Sequence, residues 1–392
     1  MKGLYLSNID PQQSIGYMSK ILGQVQGFRQ LGYEVDLICF NQNSEVILTR
    51  CHQQAAPFLE SNVLARGNSN LLIRRLSLLR AAIKHISATR PRFLYLRYPR
   101  SEPLYVYFLA KIRQQFPNLI ILSEFPTYPY DKEYEGNLKL KDRLVFFLDK
   151  MTRQYLKNFI HRVIAINYNQ HIFGINTISI DNGINISDYR PTNNLLASLD
   201  PIQIIGVANV SPWHGYDRLI RGLGKYYRQS SGPHRKIIFH IVGAQVPYLN
   251  ELVMLVSQEE IADYVIFHKP TQGKALDSLF IDCHLAIGVL GGHRKGLNVM
   301  SPLKNREYCA RGIPFIFSHA DPDFSESFQY GLHVSNDESL IDIDKLIGFI
   351  RQLRNEVDVA AKMRNYAYQF LDWSVKLEPV HNYIDAQVNS NK

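Results

Sequence analysis

Several features are scarce or missing in this sequence, and each absence narrows what the protein can be. Only 4 cysteines occur among 392 residues, and they lie far apart with no Cys-x-x-Cys pair, so we expect neither a disulfide framework nor a structural zinc site. No apolar run approaches the roughly 20 residues that cross a bilayer. The N-terminal residues turn polar after a few positions, unlike a secretory signal. We therefore expect a cytoplasmic protein without a membrane-spanning segment.

Acidic residues are absent from one long segment. Between Glu60 and Glu102 the chain carries 9 Arg and Lys but no Asp or Glu. The net charge of +9 comes from the first half, because residues 1–200 hold 24 basic and 15 acidic residues, whereas residues 201–392 hold 20 of each. A local basic surface attracts an anionic partner. Nucleic acid is the weaker candidate, since no recognised nucleic-acid-binding module accompanies the basic segment.

The apolar residues form two series of strands that alternate with helical patterns. The chain is long enough for two domains. Strands are predicted at residues 3–6, 33–40, 93–97, 119–122 and 162–166, and again at 202–207, 237–242, 265–267, 285–289 and 314–317. This alternation is typical of parallel sheets covered by helices on both faces. We expect two doubly wound α/β domains joined near residues 190–200, with ligands at the carboxyl ends of the strands and in a cleft between the domains.

One segment of the second half suggests a phosphate site. A glycine-rich run at 288–296 leaves a predicted strand, and a helix follows Ser301-Pro302. Glycines let a phosphate approach the backbone, a helix start offers free N–H groups, and Arg294, Lys295 and Lys304 supply positive charge for a diphosphate. Glu307, about one turn inside the helix, is placed to accept hydrogen bonds from two ribose hydroxyls. Spacing alone leaves a glycine turn with a solvated basic run as the alternative.

The run from Ser301 to Ile316 resembles the donor-binding helix of family-four retaining glycosyltransferases, which have the GT-B fold of two Rossmann-like domains. Other segments that resemble the family follow in the expected order: the Gly16 loop and its helix, the turn at 180–184, the stretch 207–219, Ile241-Val242-Gly243, and Trp373-Ser374 before an amphipathic tail. The resemblance spans nearly the whole chain. It implies an N-terminal acceptor-binding domain at 1–195, a nucleotide-sugar-binding domain at 196–372, and a C-terminal helix at 373–392 that returns to the first domain.

The same resemblance implies a function. It is the transfer of a sugar from a UDP- or GDP-linked donor to a glycan acceptor, expected to be lipid-linked, with retention at the anomeric carbon and without a metal or cofactor. Such an enzyme would belong to polysaccharide biosynthesis. The residues expected to bind the donor are Gly16, Asn209, His214, Gly243, His293, Arg294, Lys295, Leu303, Lys304 and Glu307.

The resemblance also implies catalytic roles. Lys304 and Arg294 are expected to stabilise the departing diphosphate. Glu124, near the position of a histidine that the family often has, is expected to orient an acceptor hydroxyl or to act as a base. An ordinary polar residue at a strand end is the alternative interpretation of Glu124.

The sequence departs from the family pattern at two places. Val299 stands where many members have a first glutamate, so the donor sugar is not specified. Asn209 and His214 lie where an Arg and Lys pair is usual. A catalytically silent GT-B protein that assists another glycosyltransferase is therefore the alternative function. Asp321-Pro322-Asp323 imitates a metal-binding motif of another glycosyltransferase fold and is interpreted as a turn or a helix cap.

Two basic segments have amphipathic helical patterns. One, at 71–90, includes Arg74, Arg75, Arg80 and Lys84, and the other extends from Leu138 to Arg162. Both suit an anionic membrane surface, and ordinary packing helices with a solvated face are the alternative. We expect peripheral association with the inner face of the membrane.

Overall fold

The computed structural model describes residues 1–9, 15–50, 60–126, 128, 130–131, 140–166, 170–192, 198–229, 234–325 and 327–390. These residues form two compact units, one of Met1–Gly183 with Trp373–Lys392 and the other of Ile184–Asp372. The division falls before the polar stretch at 192–200 that suggested the boundary. The reason is packing, because Ile184 and Ile186 belong to the hydrophobic core of the second unit.

The first unit contains nine strands and five helices within its described residues. Its strands are β1 (Lys2–Leu6), β2 (Glu34–Phe40), β3 (Val46–Arg50), β4 (Glu60–Ala65), β5 (Phe93–Arg97), β6 (Ile120–Phe125), β7 (Arg162–Ile166), β8 (His171–Ile172) and β9 (Ile175–Ile180). Its helices are α1 (Ile15–Gln30), α2 (Leu71–Thr89), α3 (Pro103–Gln115), α4 (Leu140–Thr152) and, after the second unit, α11 (Trp373–Asn389).

The nine strands form one sheet in the order β4-β3-β2-β1-β5-β6-β7-β9-β8. Pairing is parallel from β2 through β9 and antiparallel for β2–β3, β3–β4 and β8–β9. The sequence predicted a parallel sheet and did not predict β3 and β4 at one side of it or β8 and β9 at the other. Short connections such as residues 41–45 join antiparallel neighbours, whereas parallel neighbours need a longer crossover.

Both faces of this sheet are buried. Leu4 and Leu94 face one hydrophobic core, while their neighbours Tyr5 and Phe93 face the other, since successive side chains of a strand point to opposite faces. Helix α11 packs on the second of these cores through Trp373, whose ring fills the space beside Gly23 of α1. The segment expected at 373–392 thus forms a helix that lies on the first unit.

The second unit contains a six-stranded parallel sheet. Its strands are β10 (Ile202–Val207), β11 (Ile237–Val242), β12 (Val265–His268), β13 (Leu285–Ile287), β14 (Phe315–Phe317) and β15 (Gly331–His333). Its helices are α5 (Tyr216–Gln229), α6 (Tyr248–Gln258), α7 (Gly273–Phe280), α8 (Leu303–Arg311), α9 (Ile343–Arg354) and α10 (Val359–Phe370). The strand order, β12-β11-β10-β13-β14-β15, is the 3-2-1-4-5-6 order of a dinucleotide-binding Rossmann fold.

The order of the second sheet determines where a ligand is expected. Successive strands are added towards one edge from β10 to β12 and towards the other edge from β13 to β15, so the strand order reverses between β10 and β13, which pair in parallel. Ligands of open α/β sheets bind beyond the carboxyl ends of the strands at such a switch point. In the part of the chain that the structure describes, no helix is long and apolar enough to cross a membrane.

Candidate functional site

The loops that leave β10 and β13 interlock at the carboxyl end of the second sheet. The Leu290 N–H donates to the His214 carbonyl at 3.0 Å, and the Gly291 N–H donates to the Trp213 carbonyl at 3.1 Å. A Cβ atom on Gly215, whose φ is +67°, would lie 2.7 Å from the Leu290 carbonyl carbon. Glycine at this position therefore lets the two loops meet.

Gly243 occupies the neighbouring loop, which leaves β11. Its φ is +92°, and a Cβ atom there would lie 2.3 Å from the Ala208 carbonyl oxygen. Its N–H donates to the His268 carbonyl at 3.1 Å. Both the left-handed backbone and the close approach require glycine, so Gly243 joins the loops after β10, β11 and β12 at one end of the sheet.

Helix α8 begins at the same end of the sheet, after the loop that follows β13. Pro302 precedes it and provides no side-chain cap, Leu303 is its first residue, and its first turn contains no acid. The helix approaches the sheet closely because Gly288, at the end of β13, has no Cβ; one placed there would lie 2.7 Å from the Asn305 side-chain oxygen. The Asn305 N–H donates to the Pro302 carbonyl at 3.2 Å, and the N–H groups that precede it in the first turn of a helix attract anions.

Lys304 lies in this first turn and is the feature of the site that most needs a ligand. Its Nζ is buried and has no hydrogen-bond partner among the residues described. It lies 5.6 Å from the centre of the Tyr216 ring, and the buried Tyr216 hydroxyl is likewise unpartnered within the described chain. Burial lowers the pKa of Lys304 from 10.5 to about 7. The charge of Glu307 opposes this shift only in part, and an anion bound at the α8 start would stabilise the ammonium form further.

Glu307 follows Lys304 by one helical turn, so the two side chains leave the same side of α8. The Arg311 Nε donates to the Glu307 Oε1 at 2.9 Å. Burial raises the pKa of Glu307, and Arg311 opposes this shift. The second carboxylate oxygen retains acceptor capacity for a neutral donor such as a hydroxyl group.

His214 lies close to both Lys304 and Lys295. The Ser211 N–H donates to the His214 Nδ1 at 3.0 Å, so the neutral ring carries its proton on Nε2. Burial and then the charge of Lys304 lower the pKa of His214 to about 2, and Lys295 contributes to the same shift. Lys295 is exposed, with its Nζ 3.5 Å above the centre of the Trp213 ring. Asn209 is exposed in the same loop.

Arg294 was expected to face the diphosphate, but protein atoms occupy all five of its N–H groups. Its Nη atoms form a two-pronged pair with Asp217 at 2.8 Å each, while Nε and Nη2 bind Glu338 at 2.8 and 2.5 Å. The fifth N–H donates to the Pro212 carbonyl at 2.6 Å. Glu338 also accepts His293 Nε2 at 2.7 Å. Arg294 and His293 therefore hold the loop in shape, and this leaves no free Arg294 donor for a phosphate.

Asp321 and Asp323, the pair that imitates a metal-binding motif, bind Arg306 of α8 instead. Asp321 and Arg306 form a two-pronged pair at 2.6 and 2.7 Å, and Asp323 binds the same guanidinium. All three side chains are buried or nearly so. In the described ranges no group of three or more His, Cys, Asp or Glu could hold a metal ion. This pairing anchors α8 to the loop after β14.

Glu124, the expected base, lies buried at the end of β6. Its two oxygens accept four donors: Lys20 Nζ at 2.9 Å, Arg97 Nη1 at 2.7 Å, Gln24 Nε2 at 2.7 Å and the Tyr95 hydroxyl at 2.9 Å. The two cations hold the pKa of Glu124 at about 2 despite its burial. A carboxylate has about four acceptor positions, and all are occupied. This geometry favours a structural role, and we do not retain Glu124 as the base.

The four cations expected at a membrane lie on α2 but differ in their surroundings. Arg75 pairs with Glu102 at 2.6 Å, and the Arg74 guanidinium lies 4.7 Å from the centre of the Phe40 ring. Arg80 and Lys84 are exposed. The loop at 11–16 was expected to close over the donor. Residues 11–14 lie outside the described residues, and Gly16 lies in the first turn of α1 rather than in a loop.

The structure thus brings one subset of the expected donor-binding residues together. Lys304, Leu303 and Glu307 lie on α8, with His214 and Lys295 beside them. Sequence reasoning missed the Tyr216 hydroxyl, although Tyr216 lies in the stretch 207–219 that resembles the family. The arrangement has the chemistry to bind an anion at the start of α8 and to accept a hydrogen bond from a hydroxyl group one turn further on.

Comparison with known proteins supports the fold. No family model and no curated protein matches the sequence. Among solved structures, sucrose-phosphate synthase from Thermosynechococcus elongatus covers all of both chains at 16% identity with a TM-score of 0.61. The catalytic domain of starch synthase IV from Arabidopsis thaliana, bound to ADP and acarbose, covers 99% of each chain at 9% identity with a TM-score of 0.64.

A third similar structure is WaaG, a glycosyltransferase involved in lipopolysaccharide biosynthesis. It matches 98% of this chain and 99% of its own at 10% identity, with a TM-score of 0.52. These likenesses span both units and confirm the expected α/β architecture with the GT-B fold.

Proposed function

We propose that this protein is a glycosyltransferase that uses a nucleotide-diphosphate sugar as its donor. The observation that carries the proposal is the buried Nζ of Lys304, which has no hydrogen-bond partner among the described residues and lies in the first turn of α8. A diphosphate is an anion of suitable chemistry for this place, because it pairs with an ammonium group and accepts backbone N–H groups at the same time. The GT-B fold, shared with sugar-transferring enzymes, supports the same assignment.

In the proposed reaction Lys304 stabilises the diphosphate as it departs from the sugar. Charge develops on the leaving group in the transition state, and a donor that is already in position stabilises it without reorganisation. The backbone of Leu303 contributes its N–H at the helix start. Glu307 accepts the ribose hydroxyls through its free oxygen, and the His214 Nε2–H and Lys295 are further donors near the phosphates.

The finer parts of the proposal follow from the resemblance to family-four enzymes. They are a UDP- or GDP-linked donor, retention at the anomeric carbon, charge stabilisation by protein groups without a metal or cofactor, and a lipid-linked glycan acceptor at the inner face of the membrane. Val299 stands at the position of the first family glutamate and is exposed, so it offers a donor sugar no carboxylate. The configuration of the product's anomeric carbon, measured by proton NMR, tests retention.

Calorimetric titration with a panel of UDP- and GDP-linked sugars tests the central claim. We expect the wild-type protein to bind at least one donor and the Lys304→Met variant to bind it at least roughly tenfold more weakly, because a charge-assisted hydrogen bond is lost. Glu307→Gln is expected to weaken binding of the intact nucleotide sugar less. Lys345→Met, which changes an exposed lysine of α9, is the matched control.

Two outcomes would count against the proposal. If the folded wild-type protein binds no nucleotide sugar of either base, the alternative of a catalytically silent partner of another glycosyltransferase gains support. If Lys304→Met binds the donor as well as Lys345→Met does, the diphosphate does not lie at the α8 start. Donor hydrolysis, followed for each nucleotide sugar that binds, then separates an active enzyme from a binding protein.

A further inference from the structure

Helix α4 of the first unit exposes a row of large apolar side chains. Leu140, Leu144, Phe147 and Met151 are 84%, 58%, 59% and 54% exposed. Their spacing of four, three and four residues places them along one side of the helix. Isolated exposed apolar residues are ordinary, but a continuous row is typical of an interaction surface.

The opposite side of α4 is anchored, so the exposure of this row follows from the fold. Asp149 is fully buried and accepts the hydroxyls of Tyr98 and Tyr130 and the Ser101 N–H, each at 2.7 Å. Thr152 donates to the Ser101 hydroxyl at 2.7 Å. These hydrogen bonds hold α4 against the segments that follow β5 and β6. The helix therefore cannot rotate about its axis to bury the apolar row.

The charges beside the row have one sign. Arg143 and Lys150 are exposed, and they lie seven residues apart on α4, next to the row. The Lys150 Nζ also lies 4.5 Å from the centre of the Phe146 ring. Among the described residues of α4 the exposed acid is Asp142, whose helical position is about half a turn away from the row. The surface is therefore an apolar row with cations on its flank.

We propose that this side of α4 docks the protein on an anionic lipid surface. An amphipathic helix with this pattern lies in the interface with its apolar side among the acyl chains and its cations at the headgroups. Pairing with a second copy of the chain fits the charges less well, because a symmetric contact would bring Arg143 and Lys150 near their own copies without an acid between them. The proposal goes beyond sugar transfer, and of the two segments expected at a membrane it selects the one that contains α4.

Flotation with lipid vesicles tests this docking surface. One set of vesicles contains phosphatidylcholine alone, and the other contains phosphatidylcholine with phosphatidylglycerol. We expect the wild-type protein to float with the anionic vesicles. The variant Leu144→Gln/Phe147→Gln/Met151→Gln is expected to lose roughly tenfold or more of its partitioning, because its apolar insertion is removed.

Two further variants separate charge from apolar insertion. Arg143→Gln/Lys150→Gln keeps the apolar row and is expected to lose about fivefold per cation on anionic vesicles, the equivalent of about 1 kcal/mol for each charge. Val253→Gln/Met254→Gln changes an exposed apolar pair on α6 of the second unit and is expected to float like the wild type. It is the matched control for added glutamines.

The proposal is overturned if the wild type does not float with anionic vesicles, or if the α4 variants float as well as it does. It is also overturned if Arg80→Gln/Lys84→Gln on α2 abolishes flotation while the α4 variants keep it. A fall in self-association of the triple variant in sedimentation velocity, with flotation unchanged, would assign the row to a second copy instead. Circular dichroism checks folding, and the charge variant still tests docking if the triple variant unfolds. Nucleotide-sugar binding measured without vesicles reports separately on the proposed function.

Discussion

Replacing Lys304 with methionine is expected to stabilise the second unit while it weakens nucleotide-sugar binding. The Lys304 Nζ is buried and has no hydrogen-bond partner among the described residues, and the charge of Glu307 offsets the cost of its burial only in part. Methionine is similar in length and carries no charge. If replacing Lys304 raises the stability of the protein and lowers its affinity for the nucleotide sugar, the buried lysine contributes to ligand binding and not to stability.

The expected gain in stability follows from the pKa of Lys304, which burial lowers from 10.5 to about 7. Between these two values the unfolded chain binds the proton and the folded chain does not, so stability rises with pH across this window. The destabilisation is greatest below pH 7 and disappears above pH 10.5. At pH 8, about 2.5 pH units below 10.5, it amounts to about 3 kcal/mol. We expect the methionine variant to melt ~6–12 °C higher than the wild type at pH 8.

The pH dependence of binding is the second readout of the same substitution. A bound diphosphate keeps Lys304 protonated, so binding above pH 7 takes up a proton, and wild-type affinity should fall about tenfold per pH unit above pH 7. The methionine variant should lose this dependence. Calorimetry in buffers of different ionisation enthalpy measures the proton uptake, and Lys345→Met is the control. If Lys304→Met melts no higher than wild type at pH 8, or retains the wild-type pH dependence of binding, the reasoning about Lys304 is wrong.

Three further substitutions test the contacts that stabilise each unit internally. Glu124→Gln should destabilise the first unit by about 3 kcal/mol or more in urea unfolding at pH 7, because it leaves two buried cations uncompensated. Since the pKa of Glu124 is held at about 2, wild-type stability should fall as pH drops from 4.5 towards 2. A difference in stability between the two proteins that does not change with pH would contradict this reasoning. Arg294→Met should lower the free energy of unfolding by about 2 kcal/mol in thermal unfolding at low salt and leave nucleotide-sugar affinity nearly unchanged at 25 °C. A loss of affinity without a loss of stability would show instead that Arg294 binds the phosphates. Gly243→Ala should destabilise the second unit by about 2 kcal/mol or more, since its Cβ would lie 2.3 Å from the Ala208 oxygen. If the variant unfolds at the same urea concentration as the wild type, the loop accommodates the added methyl group.

Much of the fold could be predicted because its signals are local. Strands buried on both faces read as near-continuous apolar runs, as in β10 and β11, and both were predicted within a residue of their observed bounds. The edge strands β3 and β4 were not predicted, because a short antiparallel pair has little to distinguish it from a loop until it pairs with β2.

The candidate site could be predicted only in part. The sequence placed Lys304 and Glu307 one turn apart on a helix after a glycine-rich loop, which is a matter of spacing. It also assigned Arg294 to the phosphates, since a basic residue in such a loop has the right charge. Arg294 pairs instead with Asp217 and Glu338, which lie 77 and 44 residues away in sequence. A local sequence pattern cannot reveal a pairing over that distance.

By itself the sequence determined the α/β alternation, the basic first half and the residue types available at the start of α8, because composition and periodicity are properties of the chain alone. Only the tertiary structure decided which charges are free. It neutralised Arg294, surrounded Glu124 with four donors, left the Lys304 ammonium without a partner among the described residues, and turned an apolar row of α4 outward. Burial and pairing depend on residues that are distant in sequence, and these meet only when the chain folds.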